Sequence, residues 1–297
     1  MKKHKKLNII ELLFIILILF IINNKDKINN YFNVSNAYPN SEINTKEPLL
    51  KVHYLNVDQG DSIFIELPNK ETMLIDAAES NQSTKIINYI KNLNYNKLNY
   101  VIGTHPHTDH IGGLKDIINT FVIEKIYMPK VISNTKTYEN LLLTIKDKNL
   151  KITTGKAGVN ILTNDNLTID ILAPNQEKYT ELNNYSIVLK ITYKDTKFLF
   201  MGDAEKVSEN EITSNLESDV IKIGHHGSNT SSSSEFINKV HAKYGIISVG
   251  LNNNYNLPKQ EIINKWENFG TKIYMTSTNG TITAISDGTN IKIESEK

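Results

Sequence analysis

The chain contains no cysteine among its 297 residues. That absence excludes a disulfide framework, a thiolate metal site, a cysteine nucleophile and a lipid-modified N-terminal cysteine. A dominant charge is lacking too, because 33 Lys+Arg stand against 32 Asp+Glu for a net of +1. No global field draws in a polyanion, so binding of nucleic acid or phosphate has to be local. Trp266 is the one tryptophan and is most simply a core or interface residue. No short internal repeat is present, and the four serines at 231–234 form the only low-complexity tract. The 39% hydrophobic and 22% charged shares describe an ordinary globular chain, long enough for one large α/β domain or two small ones.

Long apolar runs are also absent, with one exception. Basic MKKHKK at residues 1–6 precedes LNIIELLFIILILFII at 7–22, broken only by Asn8 and Glu11. At ~1.5 Å per residue its sixteen residues cover roughly 24 Å. The hydrocarbon core is ~30 Å thick, and Lys5 and Lys6 can snorkel at one end. The run is apolar on every face, which argues against a buried core helix and for a signal peptide or membrane anchor. Asn23-Asn24-Lys25-Asp26 follow instead of the small residues a cleavage site wants, so an uncleaved anchor is expected. Lysines before the span place the rest outside the cytoplasm, either as a single-pass cell-membrane protein with an extracellular domain or as a secreted one. Asn/Lys/Ser-rich residues 23–48 read as a polar tether, leaving 49–297 as the folded domain.

Within that domain, strand compositions at 49–57, 62–67 and 72–76 are followed by a helix at 83–93 and a buried-type strand at 98–104. The next helix begins near Gly112 or Gly113, and 122–128 is again a strand. A second run of strands is expected at 160–162, 167–172, 185–193 and 197–202. Helix and strand then alternate through 205–216, 220–223, 234–241 and 245–249, and a helix at 259–269 precedes two or three terminal strands. Strands lead each half and helix–strand pairs follow. That order predicts an α/β fold of four layers, αββα, with two mixed sheets face to face and helices outside.

Three motifs concentrate the chemistry at strand ends, where α/β sites are built. THPHTDHIGG packs His105, His107, Asp109 and His110 into six residues. Alternate residues of an extended segment point the same way, so His105 and His107 can grip one metal; Asp109 and His110, past the bend, can face a second. Gly112 and Gly113 allow a sharp turn into a helix. FLFMGDAE places Asp203 after a strand, a position equally suited to a helix N-cap. IKIGHHGSNTSSSS places His225 and His226 after another. Five of the eight histidines fall in the first and third motifs. His4, His53 and His241 read as a basic flank, a strand face and a helix end.

HPHTDH, GDAE and GHHGS, preceded by LNVDQGDS and LIDA, resemble the metallo-β-lactamase superfamily, and most closely the extracytoplasmic hydrolase domain of ComEC-type competence proteins. The similarity covers about residues 50–286 and implies a two-metal hydrolytic centre between the sheets. It implies that His105 and His107 hold the first metal and Asp109 and His110 the second. Asp203 would bridge them, one of His225 and His226, more readily His226, would complete the second site, and Asp76 would support the metal loop by hydrogen bonds.

The chain departs from the superfamily in having no histidine between His110 and His225, where lactamases and glyoxalases carry another ligand. The matching stretch is NNYSIVL, so Asn184, Tyr185 or Ser186 would stand there, as Asn and Ser do in ComEC-type relatives. Fewer nitrogens make manganese a candidate beside zinc for the two divalent ions. Asp58 replaces the glycine of the relatives' VGQGDS, and Ala77 replaces another glycine.

The expected mechanism is metal-assisted hydrolysis, with Asp109 orienting or deprotonating the nucleophile. Asn184, Ser186 and Ser228, the last in the hydroxyl-rich loop 227–231, are the expected substrate-facing residues. A phosphodiester, as DNA or a phosphorylated wall polymer, is the expected substrate. The competing reading is a non-catalytic metal-binding module of a surface or DNA-uptake assembly. No feature points to a protein partner, and the membrane is met only through the N-terminal segment.

Overall fold

Three short strands, β1 (Leu50–Tyr54), β2 (Ile63–Glu66) and β3 (Thr72–Ile75), open the first half as an antiparallel meander. Their side chains alternate between two buried faces. Val52, Tyr54, Ile63 and Ile65 enter one apolar cluster, while Phe64 and Leu74 enter another on the opposite side. Burial on both faces explains why these strands read as nearly continuous apolar runs. The computed structural model describes residues 42–297. The apolar segment 1–22 and most of the 23–48 tether lie outside them, and no helix among the described residues is long and apolar enough to cross a membrane.

After β3 the chain crosses through α1 (Ser83–Asn92) to β4 (Lys97–Ile102), which pairs parallel with β3. It continues through α2 (Thr108–Ile111) and α3 (Leu114–Thr120) to β5 (Val122–Met128), and through α4 (Lys136–Asp147) to β6 (Ile152–Thr154). Both added strands are parallel. The second half repeats the plan: β7 (Asn160–Thr163), β8 (Leu167–Ala173), β9 (Val188–Tyr193) and β10 (Thr196–Phe200) are antiparallel. Then α5 (Lys206–Glu211), β11 (Val220–Lys222), α6 (Ser234–Val240), β12 (Tyr244–Ile247), α7 (Gln260–Asn268) and β13 (Lys272–Met275) extend that sheet in parallel. A single turn, α8 (Thr276–Asn279), leads to β14 (Ile282–Ser286) and β15 (Ile291–Ser295), which return to the first sheet beside β1.

The result is an eight-stranded and a seven-stranded mixed sheet. One apolar cluster fills the space between them, with Tyr54, Tyr193, Phe198 and Phe200 among its largest members. Two further clusters seat α1–α4 on the first sheet and α6 and α7 on the second, which gives the expected αββα order. Trp266 is fully buried in the latter, edge-on to Phe236, with Nε1 donating to Ser232 Oγ at 3.1 Å.

Local departures from the expected elements have physical causes. The strand expected at 185–193 starts at Val188, because Leu182–Tyr185 forms a 3-10 turn whose Asn184 side chain bonds Glu205 at both ends. The helix expected at 205–216 stops at Glu211; Thr213, Ser214 and Asn215 follow, residue types that favour irregular backbone. Neither α4 nor β6 is anticipated by composition.

Candidate functional site

The loops after β1, β3, β4, β10 and β11 bring together the residues of all three motifs. Gly60, with φ +121°, lets the loop before β2 lie against the segment carrying Asp109. A Cβ there would run into the Asp109 carbonyl, the same oxygen that accepts from Asp61 N at 3.1 Å. Gly113 approaches the Ala77 carbonyl as closely, so both glycines are contacts as well as turns.

Four imidazole nitrogens converge on a single oxygen, Asp203 Oδ2. His110 Nε2 lies 3.2 Å away, His226 Nε2 3.4 Å, and His105 Nε2 and His225 Nε2 3.9 Å each. Asp109 Oδ2 sits 3.5 Å from His226 Nε2 and 3.9 Å from His110 Nε2, so Asp109, His110, Asp203 and His226 form one group able to hold a cation. His107 Nδ1 is 2.9 Å from His105 Nε2, which pairs those two rings beside it.

Groups behind the rings fix which nitrogen faces inward. His110 Nδ1 is bonded to Asp76 Oδ2 at 2.8 Å, and the other Asp76 contacts come from Thr104 N at 2.8 Å and Thr104 Oγ1 at 2.7 Å. His226 Nδ1 donates to the Ser248 carbonyl at 2.8 Å. In each case Nε2 is the nitrogen that faces Asp203, the orientation that metal-binding histidines use. His110 Nε2, His226 Nε2, Asp61 Oδ1 and Asp203 Oδ1 are all buried without a hydrogen-bond partner. Orphaned acceptors clustered in this way fit a divalent cation.

The electrostatics of the metal-free chain agree. Burial opposes a charged imidazole, yet Asp203 and its neighbours hold His110 well above the ordinary histidine value and push His226 up to about 10. Burial would raise Asp203 and Asp109, but His110 and His226 hold both below the usual carboxylate range. His105 is held low by burial and by His110. These shifts favour protons on His110 and His226 in the metal-free chain, where a cation would compete with them.

Two residues of the cluster were not singled out from the sequence. Lys222 is completely buried, its Nζ paired with Asp61 Oδ2, 2.9 Å from the Gly202 carbonyl and 3.8 Å from Asp203 Oδ1. Burial would lower its affinity for the proton, but Asp61 and Asp203 more than offset that. Asp61 in turn lies 3.6 Å from His226 Nδ1 and 3.8 Å from His110 Nδ1. The available signals were a lysine in the otherwise apolar strand VIKI and the second aspartate of LNVDQGDS.

The expected substrate-facing residues sit differently. Asn184 and Ser186 are buried, Asn184 bonded to Glu205 and Ser186 Oγ accepting from Asp203 N at 3.0 Å. Ser228 is also buried, its Oγ 3.1 Å from Thr230 Oγ1. The loop carrying it is pinned by Glu209, which accepts from Ser232 N and, at 2.9 Å, from Ser233 N. Asn229 and Thr230 are its exposed residues. Asp58, where relatives carry glycine, adopts a left-handed φ of +58° and accepts from Gln82 Nε2 at 3.0 Å. His53 bonds Glu66 at 3.0 Å and His241 caps α6, both away from the cluster.

Comparison with known proteins agrees with this geometry. Among curated proteins the chain is 27% identical over 252 residues to ComE operon protein 3 of Bacillus subtilis (strain 168), covering 78% of this chain and 32% of that protein. It is 33% identical over 122 residues to Competence protein ComA of Neisseria gonorrhoeae, covering 40% and 18%. The chain therefore spans about a third or less of these relatives. Among solved structures, its fold is similar to the metallo-beta-lactamase fold protein YhfI of Bacillus subtilis, with TM-score 0.50, 13% identity, and 76% of this chain and 96% of that one covered. It is also similar to CmlA, a diiron β-hydroxylase from Streptomyces venezuelae, with TM-score 0.52, 11% identity and coverages of 75% and 52%. At those identities the likeness is one of fold. Residues 55–250, more than half of the chain, match the family model for the metallo-beta-lactamase superfamily, and the chain belongs to that superfamily.

Proposed function

We propose that this chain is a metal-dependent phosphodiesterase acting outside the cytoplasm, held at the cell membrane by residues 1–22 or secreted. The superfamily consists mostly of metal-dependent hydrolases. The observation that carries the reading is the convergence of His105, His110, His225 and His226 on Asp203 Oδ2, with unpartnered buried acceptors around it. His105 and His107 would hold one divalent ion and Asp109, His110 and His226 the other, with Asp203 between. When bound there, two ions, Zn²⁺ or Mn²⁺, supply Lewis-acid polarisation of a phosphoryl oxygen and acidify water.

The chain's own residues do the rest. The Asp109 side chain is 24% exposed, whereas Asp61, Asp76 and Asp203 are sealed, so Asp109 is the carboxylate of the cluster that reaches solvent. It is the group placed to orient an attacking water and take its proton. Asp76 and the Ser248 carbonyl keep two imidazoles in the tautomer that leaves Nε2 free. Asn229 and Thr230 are exposed on the loop after His226, with Thr230 Oγ1 2.9 Å from His225 Nδ1, and phosphate oxygens would meet them there. The similarity to competence proteins and the missing third histidine favour a phosphodiester, from DNA or a phosphorylated wall polymer, over a lactam or thioester. The test is hydrolysis of bis(4-nitrophenyl) phosphate by the full chain loaded with Mn²⁺ or Zn²⁺. Turnover that chelation removes and metal restores is expected; no turnover at full occupancy would leave the non-catalytic metal module as the better account.

A further inference from the structure

The first metal position lacks the histidine that would usually complete it, and the segment aligned with that vacancy does not fill it. Ser186 Oγ lies 3.3 Å from His105 Nδ1, the nitrogen on the side away from the His105 Nε2 to His107 Nδ1 contact. The Asn184 carboxamide is engaged by Glu205 through both its oxygen and its nitrogen. The first histidine of GHHGS faces the same carboxylate oxygen as His105. His225 Nε2 stands 3.9 Å from Asp203 Oδ2, the same distance as His105 Nε2, while His110 and His226 occupy the nearer pair of places around that oxygen.

Three further observations point the same way. His225 Nδ1 lies 2.9 Å from Thr230 Oγ1 and 3.4 Å from Glu205 Oε1, two oxygens that favour a proton on this outer nitrogen and leave Nε2 as the acceptor, facing Asn183 Nδ2 and Asp203. Both His225 and His226 have φ of +50°, and two successive left-handed residues turn both rings onto one carboxylate. Such backbone is held only where the surroundings over-determine it, commonly at functional sites. Finally, Asn183, whose Nδ2 is 3.4 Å from His225 Nε2, has its buried carbonyl oxygen unpartnered.

We propose that His225 supplies the third nitrogen of the first metal position, alongside His105, His107 and bridging Asp203, and that Glu205 orients it as Asp76 orients His110. The assignment rests on the two-metal reading above and deepens it: the loss of one histidine from the usual place is made good by a neighbour in the last motif.

The experiment is metal loading of the full chain by equilibrium dialysis against Mn²⁺ and Zn²⁺, with ion content measured by mass spectrometry for wild type, His225→Ala and His226→Ala. Thermal unfolding of each metal-free protein checks the fold. Two ions per wild-type chain are expected, with His225→Ala retaining one at concentrations that saturate the wild type and binding the other at least about tenfold more weakly. His225→Ala holding two ions at wild-type affinity overturns the assignment while leaving the two-metal reading intact. A wild type that binds no ion overturns both. Should His225→Ala not fold, His225→Gln, which retains side-chain bulk, is read by the same criterion.

Discussion

Lys222 carries a charge in a place where charge is costly. It has no exposed surface, and its ammonium lies between Asp61 and Asp203 behind the imidazole cluster. Removing one partner of a buried ion pair leaves the other uncompensated, at about 3–5 kcal/mol. Lys222→Met should therefore lower the unfolding free energy of the metal-free chain by that order in a denaturant titration; wild-type stability in the variant would show that the ammonium does not hold Asp61. His226 supports a second prediction at this scale. Its folded-state value is raised to about 10 from an ordinary ~6.5, so its contribution to metal-free stability is fully present below ~6.5 and is lost as pH rises toward 10. A cation must displace that proton and the one on His110, so apparent metal affinity should climb between pH 6 and 9 with proton release. Calorimetry in buffers of different ionisation heat measures this, and a pH-independent affinity would contradict it.

At the scale of elements, the site depends on loops that approach one another more closely than side chains permit. Gly60 has a φ of +121° and leaves no room for a methyl group against the Asp109 carbonyl. Gly60→Ala should displace the Asp109 segment and weaken metal binding about tenfold or more while both sheets persist by circular dichroism. Unchanged affinity would mean that the loop has slack.

The same scale explains what was legible beforehand. The αββα order was legible because strands lead each half and helix–strand pairs follow, and the structure buries each sheet against its partner and against helices. HxHxDH and GHHGS stood out because histidines are few and their spacing is local. Asp61 and Lys222 did not, since their pairing joins β11 to a loop some 160 positions earlier and local pattern carries no trace of it. Helix α4 was missed although Tyr138, Leu141 and Ile145 follow helical spacing and Thr135 caps its start. The late start of the strand expected at 185–193 is tertiary in origin, set by Glu205 holding Asn184.

At the scale of the whole molecule, a net charge of +1 offers a polyanion little general attraction. Metals and the loops around them would have to hold an anionic substrate, so few counterions would be released on binding. The apparent affinity for a phosphodiester polymer should fall by less than about tenfold between 50 and 200 mM salt. A steeper dependence would reveal a basic surface beyond the cluster. The central claim is that the convergent imidazoles and carboxylates form a metal-dependent phosphodiesterase, and Asp203, which faces four of those imidazoles, is where it is most exposed to test. The decisive measurement is turnover of bis(4-nitrophenyl) phosphate per metal-loaded chain for wild type and Asp203→Asn, with ion content determined on the same samples. The account predicts metal-dependent turnover in the wild type and a fall of more than about 100-fold, with loss of bound metal, in the variant. Absence of turnover in a wild type carrying two ions, or full turnover in Asp203→Asn, would contradict it.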